Sequence, residues 1–378
     1  MRLLEFQAKR LFQEAGLSVP AGRLLRSPLA ARELSFPVVL KAQVPVGGRG
    51  KAGAVKILQT PPAALAFAER LWDADIKGYY VKSLYAEQPI AADAEYYLSL
   101  YVDSCCNQPV FMTTAAGGVD VEAATAGGGD AVQFTPVDTT LGLRDFTIRA
   151  LARSLNVSAT AGFSAFVKAL YRLFLETEAT LIEINPLVFS ENSWMCLDAK
   201  MMLDEKSAWR HPAMYRRLKS EQETLVARKR TPAEERALSE GLNYVRLNGA
   251  VGLIADGAGT GMLTMDMVAD AGARAANFCE MGGLSDAQTM SRAMAVVLSD
   301  ARVKVLLISL IGGMTRMDQM ADGIAQYLNR HECLPPVVVR MCGTMAEEGC
   351  RTLRRARVAV FEDLETAVRT AVDRWNGE

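Results

Sequence analysis

The sequence contains very little histidine: only His211 and His331 in 378 residues. It has no CxxC pair, although Cys105 and Cys106 are adjacent. These shortages disfavour a zinc site of cysteine and histidine ligands, and also a Ser–His or Cys–His nucleophile within this chain. Seven cysteines, an odd number, indicate a reducing compartment rather than a disulfide framework.

Long apolar runs and an excess of positive charge are also missing. No uninterrupted apolar stretch approaches the roughly 20 residues that cross a bilayer. Because 42 Lys+Arg nearly balance 43 Asp+Glu, the basic surface that general nucleic-acid binding requires is not expected. The first sixteen residues, with Glu5 and Glu14, resemble neither a signal peptide nor a transit peptide. We therefore predict a cytoplasmic protein that binds neither membrane nor nucleic acid.

The two halves of the chain have different hydrophobic patterns. Residues 1–230 mix helices with short alternating apolar runs, which predict antiparallel strands. A charged segment, Lys219–Glu240, is predicted to link two domains. Over residues 240–378, near-continuous apolar strands alternate with helices, which is typical of a flavodoxin-like parallel sheet covered on both faces. Its predicted strands are Val251–Ala255, Ala276–Glu280, Val303–Leu310, Val337–Met341 and Val358–Phe361.

A glycine-rich loop follows the first predicted apolar strand, which ends at Lys41. The loop contains Gly48, Arg49, Gly50 and Lys51. Glycines allow backbone amides to approach an anion, and the cations supply charge for phosphate. Because the pattern is not GxxxxGK[ST] and no helix follows, a P-loop is disfavoured. The loop predicts a flap over nucleotide phosphates, with a flexible surface hairpin as the alternative.

A candidate metal site lies in the segment LIEINPLV. Glu183 and Asn185 alternate onto one face of a predicted strand, and Asp198 follows thirteen residues after Asn185. Two adjacent strands would bring the Asn185 and Asp198 oxygens together. Mg²⁺ needs few protein ligands when nucleotide phosphates and water complete its shell. A β-hairpin with polar edges is the alternative.

Two glutamates farther along the first half are candidates for the nucleotide site. Glu87 and Glu95 lie eight residues apart, beside a predicted strand that ends at Tyr85. Their carboxylates would accept hydrogen bonds from ribose or from the adenine edge. An exposed acidic turn explains the same pattern.

Eight strings along the chain carry a resemblance to one family. They are EFQAKRLF (Glu5–Phe12), KAQVPVGGRGKAG (Lys41–Gly53), LIEINPLV (Leu181–Val188), CLDAK (Cys196–Lys200), LNYVRLNG (Leu242–Gly249), TMDMV (Thr264–Val268), LSDARVK (Leu298–Lys304) and ADGI. In order and spacing the chain resembles the β subunit of succinyl-CoA synthetase, the ADP- or GDP-forming succinate–CoA ligase. The resemblance implies an ATP-grasp domain followed by a flavodoxin-like CoA-ligase domain.

The resemblance also implies residue roles. Lys41, Gly48, Arg49 and Gly50 would bind nucleotide phosphates, with Glu87, Ile90 and Glu95 lining the nucleotide site; Asn185 and Asp198 would hold Mg²⁺; Glu183 would steady a phosphorylated histidine; and Asp256, Gly313, Met314 and Thr315 would bind the carboxylate substrate. A helix beginning near Met314 would direct its N-terminus toward the transferring phosphoryl group.

The mechanism that the family implies is phosphoryl transfer through a carrier. ATP–Mg²⁺ phosphorylates a histidine, the histidine passes the phosphoryl group to a carboxylate, and CoA attacks the acyl phosphate. Neither His211 nor His331 lies in a glycine-rich carrier loop. The resemblance therefore implies an α-type partner that supplies the histidine and most CoA contacts, in a heterodimer or heterotetramer.

The chain departs from the family in places that touch the chemistry. Asp256 replaces an asparagine, Ile311–Arg316 replaces FGGIVR, Met281–Ser285 replaces VGGGA, and Arg340–Met345 replaces RLEGNN; in the ATP-grasp half, Thr114–Gly118 replaces TEGG. A second carboxylate beside an anionic substrate costs Coulomb energy. The nucleotide and metal residues are all present, so we expect a working ligase for an acid other than succinate: a hydroxylated or sulfonated short acid, or another small carboxylate. The alternatives are a non-catalytic or regulatory partner of a genuine synthetase and a stand-alone ATP-grasp carboxylate–amine ligase.

Overall fold

The computed structural model describes residues 1–118, 132–283 and 285–377. It divides into two compact units, Met1–Lys229 and Arg230–Glu378. Among the described residues, no helix combines the length and the apolar composition that crossing a bilayer requires.

The first unit is built on three sheets of antiparallel strands. Its strands are β1 (Gly22–Leu25), β2 (Val38–Ala42), β3 (Val55–Leu58), β4 (Asp75–Ile76), β5 (Tyr79–Val81), β6 (Leu84–Glu87), β7 (Glu95–Asp103), β8 (Gln108–Thr114), β9 (Gln133–Pro136), β10 (Ala179–Ser190), β11 (Ser193–Cys196), β12 (Lys200–Leu203) and β13 (Val226–Arg228). The strand orders are β1-β6-β2-β3, β11-β10-β7-β8-β9 with β12 also on β10, and β13-β5-β4.

Helices cover the largest of these sheets. The helices of the first unit are α1 (Glu5–Glu14), α2 (Pro61–Leu71), α3 (Asp145–Ser154), α4 (Ala161–Glu176) and α5 (Pro212–Leu225), with 3₁₀ turns at Pro28–Glu33 and Glu205–Ser207. Phe12 of α1 and Phe163 of α4 pack in one core with Leu98 and Ile182 of the sheet. Glu5 and Lys9 lie four residues apart on α1 and therefore share a face, which is buried despite its charge.

The second unit has the predicted parallel sheet. Its strands are β14 (Asn243–Arg246), β15 (Val251–Ala255), β16 (Asn277–Glu280), β17 (Val305–Gly312), β18 (Val337–Gly343) and β19 (Ala359–Phe361), and its helices are α6 (Pro232–Ser239), α7 (Ala258–Asp270), α8 (Ala287–Val297), α9 (Met317–Arg330), α10 (Ala346–Arg355) and α11 (Leu364–Asn376). The order is β14-β16-β15-β17-β18-β19, and only β14 pairs antiparallel. The five parallel strands thus follow the flavodoxin-like order 2-1-3-4-5, as predicted.

The segment Lys219–Glu240 is more structured than the predicted linker. It contains the end of α5, all of β13 and all of α6. Leu225 and Ala237 are buried. Thr231 caps α6, because its hydroxyl accepts a hydrogen bond from the Glu234 amide. Buried apolar positions spaced among the charges therefore give this segment defined structure.

Helices α8 and α9 approach each other so closely that position 323 requires glycine. A Cβ placed on Gly323 would lie 2.4 Å from the Ala287 carbonyl oxygen, whereas a Cβ on Gly259 would meet nothing within 4 Å. We predict that Gly323→Ala lowers the free energy of unfolding by about 1–3 kcal/mol, because backbone atoms must move. The control Gly259→Ala should cause no loss, because alanine is the better helix former. Urea unfolding of the full chain measures both; equal stability of the two variants would contradict the prediction.

Candidate active site

The glycine-rich loop connects β2 to β3, and Lys41 lies near the end of β2. The two strands pair antiparallel with Lys41 opposite Val55. Gly48 has a φ of +74°, which favours glycine. The loop is held by its own backbone: the Gly53 amide donates to the Gly50 carbonyl over 2.9 Å. Gly48 and Gly50 are exposed, so an anion has access to this backbone.

Lys41 lies in a buried network of charges that begins on α1. Its Nζ is 2.8 Å from Glu5 Oε1 and 2.7 Å from Glu87 Oε2. The same ammonium donates to the Leu197 carbonyl oxygen over 2.7 Å. Burial works to lower the pKa of Lys41, but Glu5, Asp198 and Glu87 outweigh it and raise the pKa. Lys41 is therefore a permanent cation.

Lys9 is a second ammonium group in this network, and its side chain is fully buried. It lies 2.9 Å from Glu5 Oε1 and also contacts Glu87 Oε1. It donates to the Leu197 carbonyl oxygen over 2.8 Å. Lys9 and Lys41 thus share the same two carboxylates and the same carbonyl. If Lys41 turns toward another anion, Lys9 remains to neutralise Glu5 and Glu87.

Arg49 connects the network to Asp198. Its Nη1 lies 2.7 Å from Glu5 Oε2, an ion pair without hydrogen-bond alignment, and its Nη2 lies 2.9 Å and 3.2 Å from the two Asp198 oxygens. Burial works to raise the pKa of Glu5, but Lys41, Lys9 and Arg49 hold it well below its usual range. One buried carboxylate therefore positions three cations.

The structure brings together the segments that carry the two predicted metal ligands, and Lys41 contacts one of them through the Leu197 carbonyl oxygen. The Leu197 amide donates to the Pro186 carbonyl over 3.1 Å, so the chain segments that carry Asn185 and Asp198 are adjacent. The Asn185 Oδ1 accepts the Gly118 amide over 2.7 Å. No cluster of three or more Asp, Glu, His or Cys suited to a metal occurs within the described ranges. Two oxygen ligands beside a glycine-rich loop fit Mg²⁺, which often keeps water and phosphate ligands in proteins.

Glu183 is held by a cross-strand lysine. β10 and β12 pair Glu183 with Lys200, and the Lys200 Nζ is 2.5 Å from Glu183 Oε2. The other predicted nucleotide residues differ in exposure: Glu95 is exposed, Ile90 is half-buried and Glu87 is buried. Glu87 is therefore a buried ion-pair partner of Lys41 and Lys9 and not part of an exposed acidic turn.

The predicted acid site of the second unit lies at the carboxyl ends of β15 and β17. These strands are neighbours at the point where the strand order reverses, which is where such folds bind ligands. Asp256 follows β15, is 5% exposed, and its Oδ2 accepts the Ile311 amide over 2.7 Å. Burial raises the pKa of Asp256, while the Ile311 amide and the Arg340 charge oppose the rise.

The loop after β17 presents the other three predicted substrate residues. Gly313 has open space around its Cα, Met314 is 75% exposed, and the Thr315 hydroxyl donates to the Gly283 carbonyl over 2.9 Å. The helix expected to begin near Met314 begins at Met317, so Met314 and Thr315 lie in the loop before it. The Met317 amide already donates to the Thr344 carbonyl over 3.0 Å. Leu284, in the glycine-containing string Met281–Ser285, lies outside the described residues.

Sequence reasoning missed Glu5 and Lys9 as site residues. Their signal was present in the string EFQAKRLF, where an acid and a base stand four residues apart on a helix. Such a pair normally indicates a solvated helix face. Only the structure shows that α1 directs it inward against Lys41 and Glu87.

Comparison with known proteins identifies both units. A family model described as an ATP-grasp domain matches residues 2–189, and one described as CoA-ligase matches residues 254–373. The chain is thus of the class that joins an ATP-grasp domain to a CoA-ligase domain. It is 36% identical to the succinate–CoA ligase [ADP-forming] subunit beta of Pyrobaculum islandicum over 99% of both chains, and 36% identical to that of Chloroflexus aurantiacus over 100% of both. The chain belongs to the family of succinate–CoA ligase β subunits.

A solved structure shows the same fold at lower identity. ATP citrate lyase from Methanothrix soehngenii, in complex with citrate and coenzyme A, aligns with a TM-score of 0.71 and 21% identity. The alignment covers 100% of this chain and 99% of that one. The predicted family and the predicted fold, ATP-grasp followed by a parallel-sheet CoA-ligase domain, are therefore confirmed. The residue roles stay predictions.

The buried network generates a stability prediction. We expect Glu5→Gln to lower the free energy of unfolding by about 3–5 kcal/mol, because three buried cations keep only part of their negative partners. Glu14→Gln, on the same helix, is the matched control: Glu14 pairs with Arg217 at the surface, so its loss should be within about 0.5 kcal/mol. Urea unfolding of the full chain measures both variants. Equal effects would show that the network is no more important than a surface pair.

The raised pKa of Asp256 generates a pH prediction. Folding favours the neutral carboxyl, so ionised Asp256 costs stability above its folded pKa, and this cost vanishes below the unfolded value of about 3.9. Asp256→Asn keeps an oxygen for the Ile311 amide, so we expect a higher Tm near pH 8. This gain should shrink as the pH falls from 8 toward the unfolded pKa of about 3.9. Thermal unfolding across that range measures it; a gain that is constant with pH would contradict the prediction.

Proposed function

We propose that this chain is the nucleotide-binding β subunit of an ADP-forming acid–CoA ligase that works with an α-type partner. The observation that carries the proposal is the placement of Lys41 and Arg49 beside the segments of Asn185 and Asp198. Two permanent cations, an accessible glycine loop and two oxygen ligands form a site for a nucleotide and Mg²⁺. Family membership supports ATP as the phosphoryl donor and CoA as the thiol.

In this proposal each residue of the first unit has one task. Lys41 and Arg49 neutralise phosphate charge, and Lys9 compensates Glu5 and Glu87 when Lys41 turns to a phosphate. Asn185 and Asp198 would hold Mg²⁺, which neutralises charge on the phosphate oxygens. Arg49 binds both Asp198 oxygens here, so a phosphate that draws Arg49 away also frees Asp198. The nucleotide and the metal site are thereby filled together.

The phosphoryl acceptor is an imidazole of the partner. His211 Nε2 contacts Glu178 over 3.2 Å, and His331 Nδ1 contacts the Tyr327 carbonyl oxygen over 2.8 Å. Both histidines are engaged outside the glycine-rich loops. A lone pair of the partner's imidazole forms the P–N bond, the bond from the terminal phosphorus to the bridging oxygen breaks, and ADP leaves with that electron pair. Glu183 accepts the N–H of the other ring nitrogen and keeps the ring oriented.

The acid substrate is proposed to differ from succinate. Asp256 accepts the hydrogen bond from the Ile311 amide, so this N–H is not free to bind a substrate carboxylate. The remaining Asp256 oxygen accepts a hydrogen bond and repels a carboxylate. A short acid with a hydroxyl donor, or a sulfonated acid whose hydroxyl faces Asp256, suits this pocket better. The exposed Met314 adds an apolar surface beside it.

The test is an acid-panel assay of the chain co-expressed with its α-type partner. We expect Mg²⁺-dependent phosphorylation of the partner's histidine by ATP, and CoA-dependent ADP release with a hydroxylated or sulfonated short acid exceeding that with succinate. A preference for succinate would overturn the acid assignment only. Nucleotide binding without any histidine phosphorylation would favour a regulatory partner. The CoA-ligase unit already disfavours a carboxylate–amine ligase.

Lys41 provides the sharpest variant for this test. We expect Lys41→Met to slow histidine phosphorylation about 100-fold, because a buried phosphate-binding cation is lost. Lys168→Met is the matched control, since Lys168 forms an exposed pair with Asp145 at 3.1 Å. Rapid-quench phosphorylation of the complex measures both rates. Equal rates in the two variants would place Lys41 outside the nucleotide site.

The native complex is proposed to be a heterodimer or heterotetramer in the cytoplasm. All seven cysteines are free thiols, which supports a reducing compartment. Light scattering of the co-expressed pair distinguishes the two assemblies.

A further inference from the structure

Arg2 lies beside the candidate nucleotide site, on a short extended segment that pairs with β12. Arg2 forms a bridge with Met202, and the Leu3 amide donates to the Met201 carbonyl over 3.0 Å. Lys200 is two residues before Met202 and therefore projects on the same side of β12. Since Lys200 contacts Glu183, this pairing brings Arg2 toward the glutamate predicted to face the histidine.

The guanidinium of Arg2 contacts the glycine-rich loop. A Cβ placed on Gly47 would lie 3.3 Å from Arg2 Nη2. The Lys77 Nζ also donates to the Gly47 carbonyl oxygen over 2.9 Å. Two cations from outside the loop therefore flank Gly47, in addition to Arg49 within the loop. Such a concentration of positive charge around exposed backbone is typical of a phosphate site.

Arg2 differs from the other arginines around it because it has no acidic partner. Arg49 pairs with Glu5 and Asp198, and Arg10 pairs with Glu221. Within the described ranges, the Arg2 guanidinium forms no hydrogen bond and no ion pair. Glu183, the acid that acts on it most strongly, is already paired with Lys200.

The surroundings of Arg2 make an unpaired cation costly. Its side chain is half-buried. Burial lowers the pKa of Arg2, the positive charge of Arg49 lowers it further, and only Glu183 and Tyr79 oppose them. Taking a charge out of water beside a like charge is unfavourable unless an anion compensates. An incoming anion at Gly47 supplies that compensation.

We propose that Arg2 is a further phosphate-binding residue, which contacts the terminal phosphate of the nucleoside triphosphate at Gly47. The inference rests on the proposed function. The terminal phosphate is assigned because Arg2 lies toward Glu183, where the phosphoryl group meets the partner's imidazole. A planar guanidinium binds two phosphate oxygens at once and stabilises the charge that spreads over them during transfer.

Arg2→Gln tests the proposal in the full complex with the α-type partner. We expect histidine phosphorylation in a single turnover to be about 10-fold to 100-fold slower, since one cation at the transferring group is lost. The dissociation constant for ATP should rise about 10-fold more than that for ADP, because only ATP has the terminal phosphate. Arg2→Lys should recover part of both effects.

Arg217→Gln is the control, because Arg217 pairs with Glu14 at the surface. It should leave both the rate and the ATP-to-ADP ratio unchanged. An unchanged rate and ratio in Arg2→Gln would overturn the proposal, as would equal weakening of ATP and ADP binding. Calorimetry of both nucleotides remains decisive if the unaltered complex phosphorylates no histidine, an outcome that would instead overturn the proposed function. If Arg2→Gln does not fold, the nucleotide ratio of Arg2→Lys decides in its place.

Discussion

The first unit depends on the neutralisation of charge around one buried carboxylate. Glu5 is almost inaccessible to water, yet Lys9, Lys41 and Arg49 all contact it. A buried charge is tolerated only when it is closely paired, so removing Glu5 from this network would leave the buried Lys41 and Arg49 without one of their carboxylates. The same contacts set the positions of the two cations to which the proposed function assigns phosphate binding. In that proposal, folding and nucleotide binding depend on the same ion pairs.

Because Lys9 and Lys41 share their acceptors, one of the two ammonium groups can move without leaving those acceptors unpaired. Lys9 and Lys41 use the same carboxylates and the same carbonyl oxygen, although only Lys41 is near the loop. Movement of Lys41 toward a phosphate therefore leaves no carboxylate without a cation. Arg49 links this network to Asp198. In the proposed function, a phosphate that binds Arg49 releases Asp198 for Mg²⁺, so phosphate binding and metal binding are coupled through one ion pair.

Much of the fold was predictable because the parallel strands of the second unit have distinct apolar patterns. β15 was predicted with the right bounds, and the other parallel strands differ from the prediction by one or two residues at one end or at both. β12 was missed because Lys200–Leu203 is too short to show a pattern, although it holds Glu183 and Arg2. Long-range pairs such as Glu5 with Arg49 have no signature in the sequence.

The candidate nucleotide site and the candidate acid site differ in how far one substitution disturbs the neighbouring side chains. Lys41, Arg49 and Asp198 belong to one network of ion pairs around Glu5, so changing one of them disturbs the rest. Asp256 has a simpler environment, in which a backbone amide and a nearby arginine are its main polar partners. An exchange of asparagine for aspartate there keeps the hydrogen bond to Ile311 and alters only charge. Acid specificity can therefore change without disturbing the nucleotide network.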